Sequence, residues 1–183
     1  MNVYETCPVF ITPRFTLRLI REEDAPGLLS VYSDKVAQPY FNADNCTSRF
    51  CYTTLREMQE CVDMWVYAYR QGWFVRWTIL LEDGRPVGTA EMFRRDDGDD
   101  GRGCGVLRVD VKRMYEFTDV FDEMLEVMLA PLHEHFGCGE ILTKAPSFAH
   151  QRQEALRMHG FTPAGPQKGQ NGLVFNDYWS HRS

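Results

Sequence analysis

The sequence has no run of lysine and arginine long enough to follow a nucleic-acid backbone, so no nucleic-acid partner is expected. It has no apolar stretch long enough to cross a bilayer, so no membrane partner is expected either. Its six cysteines, Cys7, Cys46, Cys51, Cys61, Cys104 and Cys138, form no C-x-x-C pair, and its five histidines complete no metal-ligand pattern. No metal site is therefore expected. The N-terminus lacks the basic region and apolar run of a secretory leader. Reduced thiols in a cytoplasmic protein are the simplest expectation. No repeat and no linker divides the chain.

What is present suits one domain over residues 1–183. That length supports a sizeable core, and 44% hydrophobic with 13% aromatic content argues against disorder. The net charge of −6 would favour a cationic or amine-bearing partner.

Arg14 to Ile20 reads as a first strand. Glu22-Glu23-Asp24 opens a helix through Leu28, Leu29, Val31 and Tyr32, with Pro26 tolerated in its first turn. Residues 34–52 carry no clear signal. Thr54-Leu55-Arg56-Glu57 is a capping box; the helix it opens puts Leu55, Met58, Cys61, Val62, Trp65 and Tyr69 on one face and ends near Gly72. Val75–Leu81 and Val87–Arg94 flank the Asp83-Gly84 hairpin signal. Asp96 to Gly101 does not match a calcium-binding loop and reads as a solvated hairpin tip.

Segment 104–145 carries most of the functional information. Val106 to Val111 alternates like a strand, and Lys112 to Phe117 is a short polar stretch. Thr118 is placed to cap a helix built on Val120, Phe121, Met124, Leu125, Met128, Leu132 and Phe136, with Gly137 and Gly139 stopping it. Pro131 should kink or end that helix. Glu140–Ala145 is the next strand, followed by a helix from about Ala149 to His159, Gly160, and two strands, from Phe161 and over Leu173–Ser180. A strand feeding a helix N-terminus is a natural phosphate site.

This order resembles the GNAT superfamily of acetyl-CoA-dependent N-acetyltransferases, in the branch acting on ribosomal-protein N-termini and related amines. The resemblance covers about 12–180. It rests on Thr12-Pro13-Arg14-Phe15-Thr16-Leu17-Arg18 with Glu22-Glu23-Asp24-Ala25, on Trp77-Thr78-Ile79 with Gly84 and Pro86-Val87-Gly88-Thr89, and on Gly160-Phe161 after a helix. It implies an α/β fold: a mixed, mostly antiparallel sheet with helices on both faces. It also implies acetyl-CoA as co-substrate and transfer to a primary amine, on a small molecule or peptide, by direct attack in a ternary complex.

By motif position, the backbone of Val109, Asp110 and Val111 would bind the pantetheine arm and polarise the thioester carbonyl. The family's glycine-rich pyrophosphate loop is replaced: Glu116 stands for its Arg/Gln, Phe117 for a Gly, and Asp119 and Phe121 for its final small residues. Lys112, Arg113 and Arg152 could supply the missing cation beside the helix N-terminus at Thr118. Glu91 is the candidate base; the alternative for Glu91 or Asp110 is a cross-strand ion pair with Arg108. Tyr115 and Tyr178 are acids by chemistry alone and otherwise packed aromatics. The altered loop also favours a second reading, a non-catalytic scaffold that binds or regulates without acetyl-CoA. The acceptor and the oligomeric state are not legible.

Overall fold

The computed structural model describes residues 2–48, 50–95, 103–169 and 172–183. The segment Asp96–Gly101, expected as a hairpin tip, lies outside them. Two short strands, β1 (Phe10–Ile11) and β2 (Phe15–Leu19), pair antiparallel. A 3-10 turn over Glu22–Asp24 leads into α1 (Ala25–Tyr32), with Pro26 in the first turn where its missing N–H costs nothing. The Thr54–Glu57 capping box opens α2 (Leu55–Arg70). The antiparallel run β3 (Val75–Leu81), β4 (Pro86–Arg95) and β5 (Cys104–Val111) follows.

Next come α3 (Thr118–Phe136), β6 (Glu140–Lys144) and α4 (His150–Met158), and β6 joins β5 in parallel. Thr118 is the first residue of α3, and its N-cap is Phe117; the Thr118 hydroxyl donates across to Gln151 O at 3.2 Å instead of capping its own helix. The helix also runs on through Pro131. Met128, Leu132 and Phe136 anchor both sides of the proline in the core, which offsets the lost backbone bond. Gly137, at φ 57°, ends it.

The expected last strand divides. β7 (Thr162–Pro163) is followed by β8 (Gln167–Lys168) and β9 (Val174–Phe175), which form a separate two-stranded sheet. Asp177, left-handed at φ 65°, turns the chain into β10 (Tyr178–Arg182). β10 lies between β6 and β7, completing an eight-stranded sheet ordered β1-β2-β3-β4-β5-β6-β10-β7.

The two faces of this sheet differ. Val75, Trp77, Ile79, Ala90, Met92, Leu107, Val109 and Val111 meet α3 and α4 in an apolar layer. The alternate residues Arg76, Thr78, Thr89, Glu91, Arg108 and Asp110 are polar and also buried. They lie on the side of α1 and α2, whose apolar residues, among them Leu28, Tyr32, Met58 and Trp65, form a second cluster. No helix among the described residues is long and apolar enough to cross a membrane.

Candidate active site

The strands β5 and β6 part midway. Their pairing ends at Leu107↔Thr143, whereas β5 stays paired with β4 as far as Val111↔Gly88. Arg108 to Val111 therefore keep one backbone edge that β6 does not fill. Which groups face that edge follows from the alternation of an antiparallel ladder. Lys112 N–H donates to Val87 O at 3.0 Å, so Asp110, two residues earlier, turns its backbone the same way. A Cβ on Gly88 would overlap the Asp110 carbonyl oxygen, in agreement. The N–H groups of Val109 and Val111 face the gap, and that of Asp110 faces β4. Of the three backbone positions singled out in the sequence, two turn their N–H groups into the gap.

The polar face beside the gap is one connected network. Arg76 is 1% exposed. Its guanidinium stacks 3.9 Å from the Trp65 ring centroid, donates to Thr89 Oγ1 at 2.9 Å and to Tyr32 OH at 3.2 Å, and ion-pairs with Glu91. The other Glu91 oxygen accepts from Arg108 Nη1 at 2.7 Å. The expected cross-strand pair with Arg108 is present, and a second guanidinium joins it. With both oxygens occupied, Glu91 has little capacity left to receive a proton from an amine.

Asp110 is in a different state. It is 1% exposed. Oδ1 accepts the Asn42 main-chain N–H at 3.0 Å, and Oδ2 is buried with no hydrogen-bond partner. Burial, only partly offset by Arg76 and by the Asn42 hydrogen bond, pushes its carboxyl up to about 6. Burial likewise raises the Tyr32 hydroxyl well above its ordinary value.

At the start of α3, the Thr118 N–H is taken by the side chain of Gln151, whose Oε1 accepts at 3.1 Å. An amide oxygen thus sits where a phosphate oxygen would bind the helix N-terminus. Glu116 is buried and ion-paired with Arg152, which also donates to Tyr40 O at 3.3 Å and Lys144 O at 3.4 Å and lies 4.6 Å from the Phe121 ring. Arg152 is therefore no spare cation for a pyrophosphate: it neutralises Glu116. By the same contact Glu116 loses the repulsion its position suggests. Asp119 is turned outward onto Arg14 at 2.7 Å. Lys112 and Arg113, directly after β5, are half-buried; the Arg113 guanidinium lies 5.0 Å from the Tyr40 ring. The open strand edge suits a pantetheine arm, and an exchangeable amide at the helix N-terminus with two nearby cations suits its diphosphate.

No family model matches the chain and no curated protein sequence matches it. Solved structures do match over its whole length. A Vibrio cholerae protein described as a candidate ribosomal-protein-serine acetyltransferase superposes with a TM-score of 0.74 at 13% identity, covering 100% of both chains. The chain has the GNAT fold. RimL, a ribosomal L7/L12 α-N-protein acetyltransferase in complex with coenzyme A, gives 0.70 at 12% identity over 96% of this chain and 98% of its own. The microcin C7 self-immunity acetyltransferase MccE, in complex with acetyl-CoA and AMP, gives 0.70 at 8% over 93% of each.

Within the GNAT fold, sequence reasoning missed Arg76, Thr89, Tyr32, Asn42, Asp44 and Gln151. Arg76 and Thr89 had a signal, since each is the polar member of an alternating strand, but alternation alone reads as a solvated face. Asn42 and Asp44 lie in a stretch with no periodicity. Gln151 is an ordinary helix residue until α4 is set against α3.

Proposed function

We propose that the protein transfers an acetyl group from acetyl-CoA to a primary amine by direct attack in a ternary complex. The observation that carries this is the parting of β5 from β6 beside a buried carboxylate with an unpartnered oxygen. Acetyl-CoA would supply an activated thioester, whose C–S bond breaks as the amine C–N bond forms. The backbone edge at Val109 and Val111, whose two N–H groups lie about 7 Å apart along the strand, would hold the pantetheine arm with one and polarise the acyl oxygen with the other. Thr118 N–H, once Gln151 swings away, would hold the diphosphate with Lys112 and Arg113. Asp110 replaces Glu91 as the proposed proton acceptor. Its Oδ2 has free lone pairs, and a carboxyl near 6 is deprotonated at neutral pH while still basic enough to receive a proton from an ammonium. Glu91 then serves to fix Arg76 and Arg108.

The non-catalytic scaffold is the second reading, favoured by the Gln151 side chain on the helix N-terminus. Calorimetric titration with acetyl-CoA, with free CoA as control, separates the two. Micromolar binding followed by acetylation in an amine screen supports transfer. No heat at millimolar ligand would leave the scaffold.

A further inference from the structure

The connection between α1 and α2 crosses the sheet beside the gap, and its single carboxylate between Asp34 and Glu57 is Asp44. Three neighbouring strands converge on that residue. Lys144, the last residue of β6, reaches both Asp44 carboxylate oxygens, at 2.9 and 2.7 Å. Tyr178, paired with Lys144 in β10, donates its hydroxyl to Oδ2 at 3.2 Å. Arg108, one residue past the last β5–β6 pair, donates Nη2 to the Asp44 carbonyl at 2.6 Å. Asn45, the next residue, turns the chain at a left-handed φ of 59°, a conformation asparagine tolerates.

The network also leaves groups unmatched. Arg108 Nε, a donor, and Asp110 Oδ2, an acceptor, are buried without partners two residues apart on the same strand face. Orphaned polar groups of this kind are costly. A ligand with a cation and an anion a few ångströms apart has the complementary pattern. Its ammonium would meet Asp110, and its anion would meet the donors of Arg108, Lys144 and Tyr178.

We propose that the acceptor is an amino-carboxylate, an amine whose carboxylate lies close to the reacting nitrogen, and that Asp44 occupies the seat of that carboxylate until substrate displaces it. This rests on the acetyl-transfer reading for the role of the ammonium, but the carboxylate seat can be tested without transfer. The fit is to a planar two-oxygen acceptor, since the group now seated is itself a carboxylate. The same chemistry occurs in a free amino acid and in an acidic residue at a peptide N-terminus.

The test uses the whole 183-residue chain. Acetylation is followed by thiol release for alanine against alaninamide, and for Asp-Ala-amide against Asn-Ala-amide. The first pair reports a free amino acid and the second an acidic peptide end. In parallel, the thermal midpoint is titrated with alanine and with alaninamide in the absence of acetyl-CoA. The expected result is a preference of about tenfold or more in kcat/KM for the carboxylate member of one pair, as charge-assisted hydrogen bonds give. Lys144→Gln should collapse that preference towards parity. Asp44→Asn, which removes the internal competitor, should lower KM for the carboxylate member but not for its amide. Equal rates within both pairs, unaltered by Lys144→Gln, would overturn the amino-carboxylate proposal and leave acetyl transfer standing. No transfer to any amine, with saturable alanine binding lost in Lys144→Gln, would reject the transferase reading and uphold the carboxylate seat. Asp44→Asn lowering activity equally on acid and amide would make Asp44 a structural pin and overturn its role as placeholder.

Discussion

Asn42 gives its main-chain N–H to Asp110 Oδ1 at 3.0 Å, so a loop without regular structure supplies a hydrogen bond to the carboxylate nearest the parted strands. The other Asp110 oxygen has no hydrogen-bond partner and is the proposed proton acceptor. Asp110→Asn should lower kcat by about a hundredfold or more, the usual span for losing a general base. The wild-type rate should rise with pH through about 6, where Asp110 loses its proton. A pH–rate profile for the residual activity of Asp110→Asn that keeps that limb would place the base elsewhere.

The same carboxyl predicts a stability change of definite sign. Its folded value, about 6, lies above the ordinary 3.8, so the folded state favours the protonated form. The stability this confers is present below the unfolded value and lost as pH rises through the folded one, a fall of about 3 kcal/mol at most. Asp110→Asn should flatten this part of the curve and leave the protein at least as stable at pH 7. Urea midpoints at pH 5 and 7 for both proteins would show it, and a less stable variant at pH 7 would contradict it.

Glu116 and Arg152 form a buried pair between the start of α3 and α4. Removing one partner strands the other charge. Glu116→Gln or Arg152→Met alone should cost about 3–5 kcal/mol in urea unfolding, and the double substitution much less than the sum. Additive losses would show that the pair does not act as a unit.

Most of the architecture was legible. Periodicity fixes α2 through its capping box and the β3–β4 hairpin through Asp83-Gly84, because these signals are local. What escaped was set by elements distant in sequence. Thr118 looks like a cap until Gln151, 33 residues on, takes its N–H. Glu116 looks repulsive until Arg152 lies against it. Glu91 reads as a base or as half of a cross-strand pair with Arg108; the second guanidinium on it, Arg76 from β3, has no local signal. Asn42 and Asp44 sit in a segment whose shape is given by what it packs on.

The Gln151 side chain covers the proposed diphosphate end. Gln151→Glu places a carboxylate on the Thr118 N–H, which stabilises the helix terminus but repels an anion. Free-CoA affinity should drop about tenfold in calorimetry, with the thermal midpoint unchanged or raised. Lys112→Ala with Arg113→Ala should also weaken CoA binding while the far-ultraviolet circular dichroism stays constant. Unaltered affinity in the double variant would remove both cations from the site.

His133 and His181 share a hydrogen bond at 2.9 Å, and His133 Nδ1 faces Cys138 O at 2.8 Å. A carbonyl accepts only, so His133 Nδ1 donates to it and His181 Nδ1 can donate to His133 Nε2. Burial and the neighbouring His133 and His159 lower the His181 value below 6.5. Its contribution is present above the unfolded value and lost as pH falls below it, opposite in sign to that of Asp110, so the wild-type thermal midpoint should drop relative to that of His181→Gln below about pH 6.5. An unchanged pH dependence in that variant would exclude this histidine.

The two-faced sheet has a consequence for how the strands find their places. Over 75–79 of β3, 89–92 of β4 and 107–111 of β5, residues alternate between the oily layer and the polar layer, and both are buried. A strand entering one residue out of step would thrust Arg76, Glu91, Arg108 or Asp110 among Trp77, Met92 and Leu107, and set valines against guanidinium groups. In a sheet with one wet face, a misplaced charge can still reach solvent. Here it cannot, so the same buried charges proposed to handle a substrate also proofread the threading of the chain.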